Sequence, residues 1–331
     1  MQFSSTFIHT PFSLPIPNIL CQNLRMNRLL IPPLLILTLL VGTPAFSADL
    51  QKGLTAAQSG DFATALREWT PLAEQGDADA QFYLGVMYEK GRGVPQDYKT
   101  ALKWYRLAAE QGYTKSQHNL GVMYRKGRGV PQDDKTAVKW FILAAVQGVA
   151  DARFNLGVMY DNGRGVPQDY KTAVKWWRLA AEQGFASAQY NLGVMYENGR
   201  GVPQDDKTAV KWFILAAVQG NAAAQYNLGF MYEKGQGVPQ DFKTAVKWWK
   251  LAAAQGDVGA QNNLGSMYER GQGVLQDYVR AHMWYNVSAI SGESKNAFKN
   301  RDVLVKLMTP AQIAEAQKLA RECVRKKYKG C

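Results

Sequence analysis

The stretch GRGVPQDDKTAVKWFILAAVQG occupies residues 127–148, and the same segment returns unchanged at 199–220. A near copy, GRGVPQDYKTAVKWWRLAAEQG, lies between them at 163–184. An enzyme builds its pocket from segments of unlike sequence, whereas this chain uses one segment again and again. The repetition therefore favours a tandem array over a single catalytic domain.

Two short motifs define the period of the array. The loop GV[P/L]QD begins at 93, 129, 165, 201, 237 and 273, and the motif LG-x-MY begins at 84, 120, 156, 192, 228 and 264. Both step by 36 residues, which predicts six units at 77–112, 113–148, 149–184, 185–220, 221–256 and 257–292. A unit of this size cannot bury its own apolar face, so a period of 20–50 residues is typical of a solenoid.

Each unit has the periodicity of two helices. In the first unit, Ala80, Leu84 and Tyr88 share one face of a helix predicted over 77–90. The apolar residues of 98–111 repeat at the i, i+3, i+4 and i+7 positions of a second helix. The pattern predicts an antiparallel helix pair that is repeated along the chain.

A glycine stands in the middle of every predicted first helix. These glycines are Gly85, Gly121, Gly157, Gly193, Gly229 and Gly265. Each costs roughly 0.5–1 kcal/mol relative to alanine in a helix interior, so a compensating contact is expected. We expect the second helix to approach closely there, with its tryptophan packed over the glycine. The tryptophans in question are Trp104, Trp140, Trp176, Trp212 and Trp248.

The two ends of the array differ from its units. Residues 49–76 match the repeat only in part and predict an N-terminal capping helix pair. Residues 293–331 predict a basic C-terminal cap of two helices, over 295–308 and 310–326, the second beginning after Thr309 as N-cap. The predicted fold is therefore all-α, a solenoid with a cap at each end.

The repeated pattern A-x-x-x-L-G-x-M-Y, then G-x-G-V-P-x-D and W-x-x-x-A-A, resembles the Sel1-like repeat, a relative of the tetratricopeptide repeat. The resemblance implies a right-handed α/α superhelix of helix-turn-helix units that acts as an adaptor for a protein or peptide partner. Exported bacterial members of that family include host-interaction proteins. Some cysteine-rich relatives are associated with β-lactams, but their paired cysteines are missing from every repeat here.

The N-terminal region has the pattern of an export signal. Arg28 precedes an apolar run from Leu29 to Val41, and Ala45-Phe46-Ser47-Ala48 has the small residues of a cleavage site. We interpret Met26 as the true start of translation, so that residues 1–25 are not part of the protein. Residues 26–47 are then a signal peptide. A retained membrane anchor is the alternative interpretation. Export predicts a periplasmic or secreted bacterial protein with no stable membrane span after cleavage.

The charge and cysteine content fit an exported binding protein. Beyond residue 47 the chain carries a net charge of +10, of which +6 falls in residues 299–331. An exported protein rarely meets nucleic acid, so an anionic lipid, a cell-wall polymer, an acidic protein or a merely solvated cap accounts better for the basic end. Cys323 and Cys331 either form a disulfide in an oxidising compartment or remain two free thiols.

Two adjacent columns on the first helices are candidates for the partner-binding groove. The residue just before each Leu-Gly forms an amide column: Tyr83, Asn119, Asn155, Asn191, Asn227 and Asn263. The preceding residue forms an aromatic column: Phe82, His118, Phe154, Tyr190, Tyr226 and Asn262. Amides can bind the backbone of an extended peptide, and exposed aromatic residues favour a binding surface. The alternatives are that the amides tie down neighbouring turns and that the aromatic rings wedge between units.

A third candidate lies on the second helices. Ile142 and Val146 replace the charged pair that the intervening unit carries, and Ile214 and Val218 do the same in the duplicated copy. These pairs predict either an apolar contact surface, for instance for self-association, or surface residues inherited by duplication.

Nothing in the sequence predicts an enzyme. His118 and His282 lie in different units, and no spacing of cysteine, serine and histidine indicates a nucleophile or a metal site. We therefore expect a scaffold without catalytic residues, cofactor or metal. The alternative is a cell-envelope hydrolase or accessory that acts on peptidoglycan or β-lactams.

Overall fold

The computed structural model describes residues 48–290 and 295–331, so the predicted export signal lies outside the described residues. The described chain is helical throughout and contains no strand. The helices are α1 Leu50–Gln58, α2 Phe62–Glu74, α3 Ala78–Lys90, α4 Tyr98–Glu110, α5 Thr114–Lys126, α6 Asp134–Val146, α7 Ala150–Asn162, α8 Tyr170–Ala181, α9 Ala186–Asn198, α10 Asp206–Val218, α11 Ala222–Lys234, α12 Phe242–Ala253, α13 Val258–Arg270, α14 Tyr278–Ile290, α15 Lys295–Leu304 and α16 Pro310–Arg325. Each helix packs on the next in chain order from α1 to α14, which confirms an all-α solenoid of tandem helix pairs.

The helix ends follow from residues that recur with the period. An aspartate caps the second helix of each of the first five repeats, and in α8 Asp169 accepts hydrogen bonds from the backbone N–H groups of Lys171 and Thr172. A carboxylate at this position satisfies amide groups that have no partner within the helix. The first helices end instead at a left-handed glycine, such as Gly163 with φ of 65°.

The hydrophobic core is shared between successive pairs. One cluster joins Ala137, Phe141 and Ala145 of α6 to Leu156 and Met159 of α7, and all five side chains are buried. Equivalent clusters join α8 to α9 and α10 to α11. A unit therefore completes its core only with its neighbour, which is the physical basis of a repeat array.

The second helix approaches the mid-helix glycine closely, as predicted, but the prediction that the named tryptophan packs over the glycine is wrong. A Cβ atom on Gly85 would lie 2.5 Å from the ring of Tyr105, and one on Gly193 would lie 2.5 Å from the ring of Phe213. In both cases the ring belongs to the residue after the tryptophan. The tryptophan itself packs sideways: Trp140, for example, is half-buried against the core formed by α4 and α5. The two aromatic residues point about 100° apart on the helix, so they face different neighbours.

The C-terminal helices cover the last repeat. Met283 and Trp284 of α14 are buried together with Ala320 and Cys323 of α16. The predicted helix over 295–308 ends earlier, at Leu304, and a short 3₁₀ turn over Val305–Leu307 leads to extended backbone at Met308. Thr309 begins α16 with a reciprocal cap, in which its hydroxyl accepts from the Gln312 N–H at 3.3 Å.

A disulfide joins Cys323 to Cys331, with 5.5 Å between their Cα atoms, and closes the C-terminus onto α16. Within residues 48–290 and 295–331, no helix is long and apolar enough to cross a membrane.

Candidate binding surface

The amide and aromatic columns both lie on the first helices, and we call the surface that they form the first-helix face. It runs from α3 through α5, α7, α9 and α11 to α13. Every residue of the two columns is half-buried except Asn155, which is buried at 9% exposure. The first-helix face is therefore a partly recessed surface and not a row of protruding side chains.

The prediction that the side chains of the aromatic column are exposed is wrong. The ring of His118 lies 5.8 Å from that of Phe141, and the ring of Tyr190 lies 5.8 Å from that of Phe213. The ring packed over the mid-helix glycine thus also supports the aromatic column of its own unit. These ring contacts leave the aromatic column half-buried, although it lies beside the helix face that packs in the core.

The two columns also contact each other between successive units. Nδ2 of Asn155 lies 3.2 Å from Nε2 of His118 in the preceding unit. Asn227 hydrogen-bonds to the Tyr190 hydroxyl, and Asn263 to the Tyr226 hydroxyl. Amide and aromatic side chains therefore form a polar seam at three of the five junctions between neighbouring first helices, α5 with α7, α9 with α11 and α11 with α13. These contacts support the alternative in which the amides tie units together.

Two members of the amide column lack this partner, because Asn119 and Asn191 follow Phe82 and Phe154, whose rings offer no hydrogen-bonding group. Asn119 instead bonds within its own unit, to Tyr105 and His118, whereas no described residue bonds to the amide of Asn191. By contrast, Oδ1 of Asn155 accepts from Nη1 of Arg125 at 2.8 Å in addition to its contact with His118. The amide of Asn191 is thus the one whose donor and acceptor are open to a ligand, since a half-buried amide without a partner gains from each new hydrogen bond.

The seam is uncharged. Burial raises the pKa values of Tyr190 and Tyr226 further above neutrality than in an exposed tyrosine, so both hydroxyls remain protonated at neutral pH. Burial lowers the pKa of His118 below its usual range, which favours the neutral imidazole. Hydrogen bonds along the seam therefore operate between neutral groups.

The predicted apolar pairs on the second helices separate into two kinds. Val146 and Val218 are 57% and 67% exposed. The isoleucines do not point away from the core as expected, because Ile142 and Ile214 are half-buried against the clusters that α6 and α10 form with the next unit. Self-association through these residues stays a prediction.

The residue at the isoleucine position contacts a tyrosine of the next first helix. In α8 the guanidinium of Arg178 donates to the Tyr196 hydroxyl at 2.8 Å, and in α4 Arg106 donates to that of Tyr124 at 2.8 Å. Where the position is isoleucine, Ile142 and Ile214 pack against the same cluster as the corresponding tyrosines, Tyr160 and Tyr232. Both residue types at this position therefore take part in the contact between units.

A column of buried glutamines, not predicted from the sequence, lies near the start of the first helices. Nε2 of Gln81 donates to the carbonyl of Ala73 at 3.0 Å, and Gln111 donates to Oε1 of Gln81 at 2.8 Å. Where the third repeat has Arg153 instead, its Nε donates to the carbonyl of Ala145 at 3.0 Å. The bonded carbonyl always belongs to the end of the preceding second helix, where carbonyls lack helical partners. Recurrence at the repeat period was the signal available in the sequence.

The arginine between the loop glycines is a second missed contact. Arg164 forms an ion pair with Asp134 at the start of α6, with Nε and Oδ2 3.1 Å apart. Where that position is tyrosine, the guanidinium lies over the ring, as with Arg128 over Tyr98 at 5.5 Å. The following glycine, Gly165, has φ of 71° and leaves no room for a side chain against the backbone of Asp134. Each loop therefore docks on the preceding repeat.

The two histidines of the repeats are packed side chains. His118 belongs to the first-helix face, and His282 is 1% exposed with its Nδ1 3.0 Å from Nδ2 of Asn286. Within the described ranges, no group of three or more His, Cys, Asp or Glu side chains is arranged to hold a metal ion.

Comparison with known families identifies the repeat. The Sel1 repeat model matches six consecutive segments, at 78–113, 114–149, 150–185, 186–221, 222–257 and 258–292. The chain belongs to the Sel1 repeat family. Proteins built from Sel1 repeats are in general scaffolds for protein–protein interaction, and the family is not a catalytic one. The matched segments begin one residue after the units predicted from the period.

One solved structure gives the same assignment, and a second is more distantly similar. A Sel1 repeat protein from Oxalobacter formigenes is 33% identical, with a TM-score of 0.64, over 74% of this chain and 97% of that one. A protective antigen of uropathogenic Escherichia coli, c5321, is 24% identical over 85% of this chain and 96% of its own, with a TM-score of 0.44. No curated protein sequence matches the chain.

Proposed function

We propose that the protein is an exported, non-enzymatic scaffold that holds a segment of a partner protein on the first-helix face. The observation that carries the proposal is the polar and aromatic seam, which recurs at three of the five junctions while its side chains, apart from Asn155, remain partly accessible. A surface of this kind presents rigid rings and amides at a fixed period, which suits an extended peptide.

The middle of the face is the part where we place the strongest contact. Phe154 has the position on α7 that corresponds to His118, the partner of Asn155, on α5, while Tyr190 precedes Asn191 in the chain and Val194 follows it by one turn of α9. An amide without a hydrogen-bond partner, close to half-buried aromatic and aliphatic side chains, can form a hydrogen bond from which water is excluded. Residues of this kind are found at interface hot spots. The partner segment would bond to Asn191 and bury an apolar side chain beside it.

The proposed export rests on two features. The segment 26–47 has the composition of a signal peptide, and the disulfide between Cys323 and Cys331 is a bond that persists in oxidising compartments. Processing would leave a chain that begins close to Asp49, which caps α1. Fractionation of cells followed by N-terminal sequencing tests this: a periplasmic or extracellular protein with a start near residue 48 is expected, and a cytoplasmic protein with its leader intact would contradict it.

A photocrosslinking experiment tests the scaffold. A photoreactive phenylalanine analogue in place of Asn191 should yield one protein adduct in intact cells, whereas the same analogue in place of Lys211 on α10 should not yield that adduct. Once the partner is identified, Asn191→Ala should weaken its binding about tenfold, the effect of one lost interfacial hydrogen bond to a desolvated group. Asn198→Ala is the matched control, because Asn198 lies on the same helix but is exposed at its end.

Unchanged affinity of the Asn191→Ala protein, with unchanged helicity, would remove the first-helix face as the site. Equal adducts from both positions would show that the crosslinking reports only random encounters.

A further inference from the structure

The second helices of the first five repeats present one side-chain stripe to solvent, which we call the outer stripe. In α10 it consists of Lys207, Lys211, Leu215 and Val218, at intervals that place them on one helix face. The two lysines recur in every one of these repeats: Lys99, Lys103, Lys135, Lys139, Lys171, Lys175, Lys207, Lys211, Lys243 and Lys247. All of them are exposed.

The lysine charges of the outer stripe are not neutralised by neighbours. No ion pair within 4.0 Å involves any of these lysines among the described residues, although other lysines, such as Lys90 and Lys234, pair with an adjacent glutamate. The aspartate that caps each second helix has closer partners: Asp205 accepts from the N–H and the hydroxyl of Thr208, which lower its pKa most, and the charge of Lys211 acts on it from beyond ion-pair distance. The cations are thus available to an external anion.

A leucine continues the same stripe in each of these second helices, and the position after it is Val146 or Val218 in the duplicated copies but Glu110 and Glu182 in the first and third repeats. Leu215 is 45% exposed and Leu251 is 50% exposed, and Val146 and Val218 are exposed further still. Beside them lies the half-buried tryptophan of each repeat. Between α2 and α4, Lys103, Trp104 and Leu107 line one open cavity of about 590 Å³, together with Glu74 and Glu110. Cationic and apolar groups are therefore adjacent along the outer stripe, most completely in the second and fourth repeats, where a valine ends it.

We propose that the outer stripe docks the protein on a lipid bilayer that contains anionic headgroups. The lysines provide the charge complement of phosphate groups, and lysine-rich surfaces gain about fivefold in affinity per residue close to such a membrane. Exposed leucine, valine and tryptophan side chains are the groups that enter the interface between headgroups and acyl chains. A nucleic acid or an acidic polymer would satisfy the lysines but leave the apolar groups uncovered, so the bilayer accounts for both parts of the stripe.

The docked face and the proposed partner face lie on different helices of each repeat. A scaffold bound through its second helices keeps its first-helix face directed to the aqueous phase. The proposal does not depend on the identity of any protein partner, and it holds or fails separately from the proposed function.

The test uses residues 48–331, which form one compact unit with every repeat core inside it. Binding is measured by co-sedimentation with vesicles of phosphatidylcholine alone and with 30% phosphatidylglycerol added. One variant replaces the four outer-stripe lysines of α8 and α10 by glutamine. The control variant has the same change in net charge and replaces four exposed lysines outside the stripe, namely Lys90, Lys126, Lys234 and Lys318. A third variant is Val218→Gln.

The protein should bind to the anionic vesicles only. The stripe variant should lower the affinity more than tenfold, the control variant less than threefold, and Val218→Gln two- to fivefold. Circular dichroism checks that every variant keeps its helices. Equal losses in the stripe and control variants would overturn the proposal in favour of diffuse charge attraction. Absence of binding to anionic vesicles would overturn it outright. Binding to soluble polyphosphate that falls in the stripe variant but not in Val218→Gln would assign the lysines to a polymer and not to a bilayer.

Discussion

The fifth and sixth repeats differ at the positions where their second helices face outward. In the fifth repeat Lys243 and Lys247 are exposed on α12. In the sixth, α16 lies over α14, and Met283 occupies the position that corresponds to Lys247 and is 4% exposed. The interiors of the two repeats are nevertheless alike, since Trp249 and Tyr285 each pack over a glycine of the paired first helix. The repeat pattern thus determines the interior, whereas the outer residues depend on what covers them.

A reciprocal exchange of outer residues should give the largest effect. Met283→Lys places an ammonium group beneath α16, where two basic side chains, Arg280 and Lys326, and one acidic side chain, Glu322, line the surrounding surface. Burial of this charge, with more basic than acidic neighbours, should lower the free energy of unfolding by about 2–3 kcal/mol. Lys247→Met is the matched exchange in the open repeat and should change it by less than about 0.5 kcal/mol. Guanidinium unfolding followed by circular dichroism measures both.

If Lys247→Met lowered the free energy of unfolding as much as Met283→Lys, the outer residues of both repeats would contribute equally to stability. The covering helix α16 would then not explain the difference between the fifth and sixth repeats.

Because the fifth and sixth repeats pack their helix pairs alike, we expect alanine at the mid-helix glycine to lower stability equally in an open and in the covered repeat. Gly193→Ala and Gly265→Ala each force a Cβ atom into a ring, that of Phe213 and that of Tyr285. Each should lower the free energy of unfolding by about 1–3 kcal/mol, the usual cost of overpacking. Gly220→Ala serves as control, because its Cβ would meet no atom within 4 Å and only its φ of 91° is unfavourable.

A substantially smaller loss for Gly265→Ala than for Gly193→Ala would mean that the capped repeat packs its helix pair more loosely. The same unfolding measurements distinguish the two cases.

The sequence predicted the period, the helix pairs, the caps and the mid-helix glycines, because those features depend on local propensity and on apolar periodicity. It did not predict which aromatic residue covers the glycine. Trp140 and Phe141 are adjacent in sequence, and both are large and apolar, so the pattern alone does not tell the inner ring from the ring that reaches the preceding unit.

Of the candidate site, the sequence predicted the positions but not their contacts. Asn155 and Asn191 are the same residue at the same point of the repeat. One is buried beside His118 and Arg125, and the other has an open amide because Phe154 precedes it by one unit. The difference depends on side chains more than 30 residues away in the chain, which become neighbours only through the solenoid.

The smallest predicted effect concerns an irregularity in the second repeat. Ser116 is fully buried and its hydroxyl has no hydrogen-bond partner, whereas Ala152 and Ala188 fill the corresponding position in the next two repeats. Ser116→Ala should raise the free energy of unfolding by about 1 kcal/mol, since it removes an unsatisfied buried hydroxyl. Ala188→Ser should lower it by a similar amount, and a loss of stability in Ser116→Ala would reveal a bond that the hydroxyl makes.

Hydrogen–deuterium exchange of the protein with its crosslinked partner tests the central claim most directly. If the first-helix face holds the partner, added protection should fall on α7, α9 and α11, with α8 and α10 unchanged. Added protection confined to α8 and α10, or absent from the first helices altogether, would contradict the account.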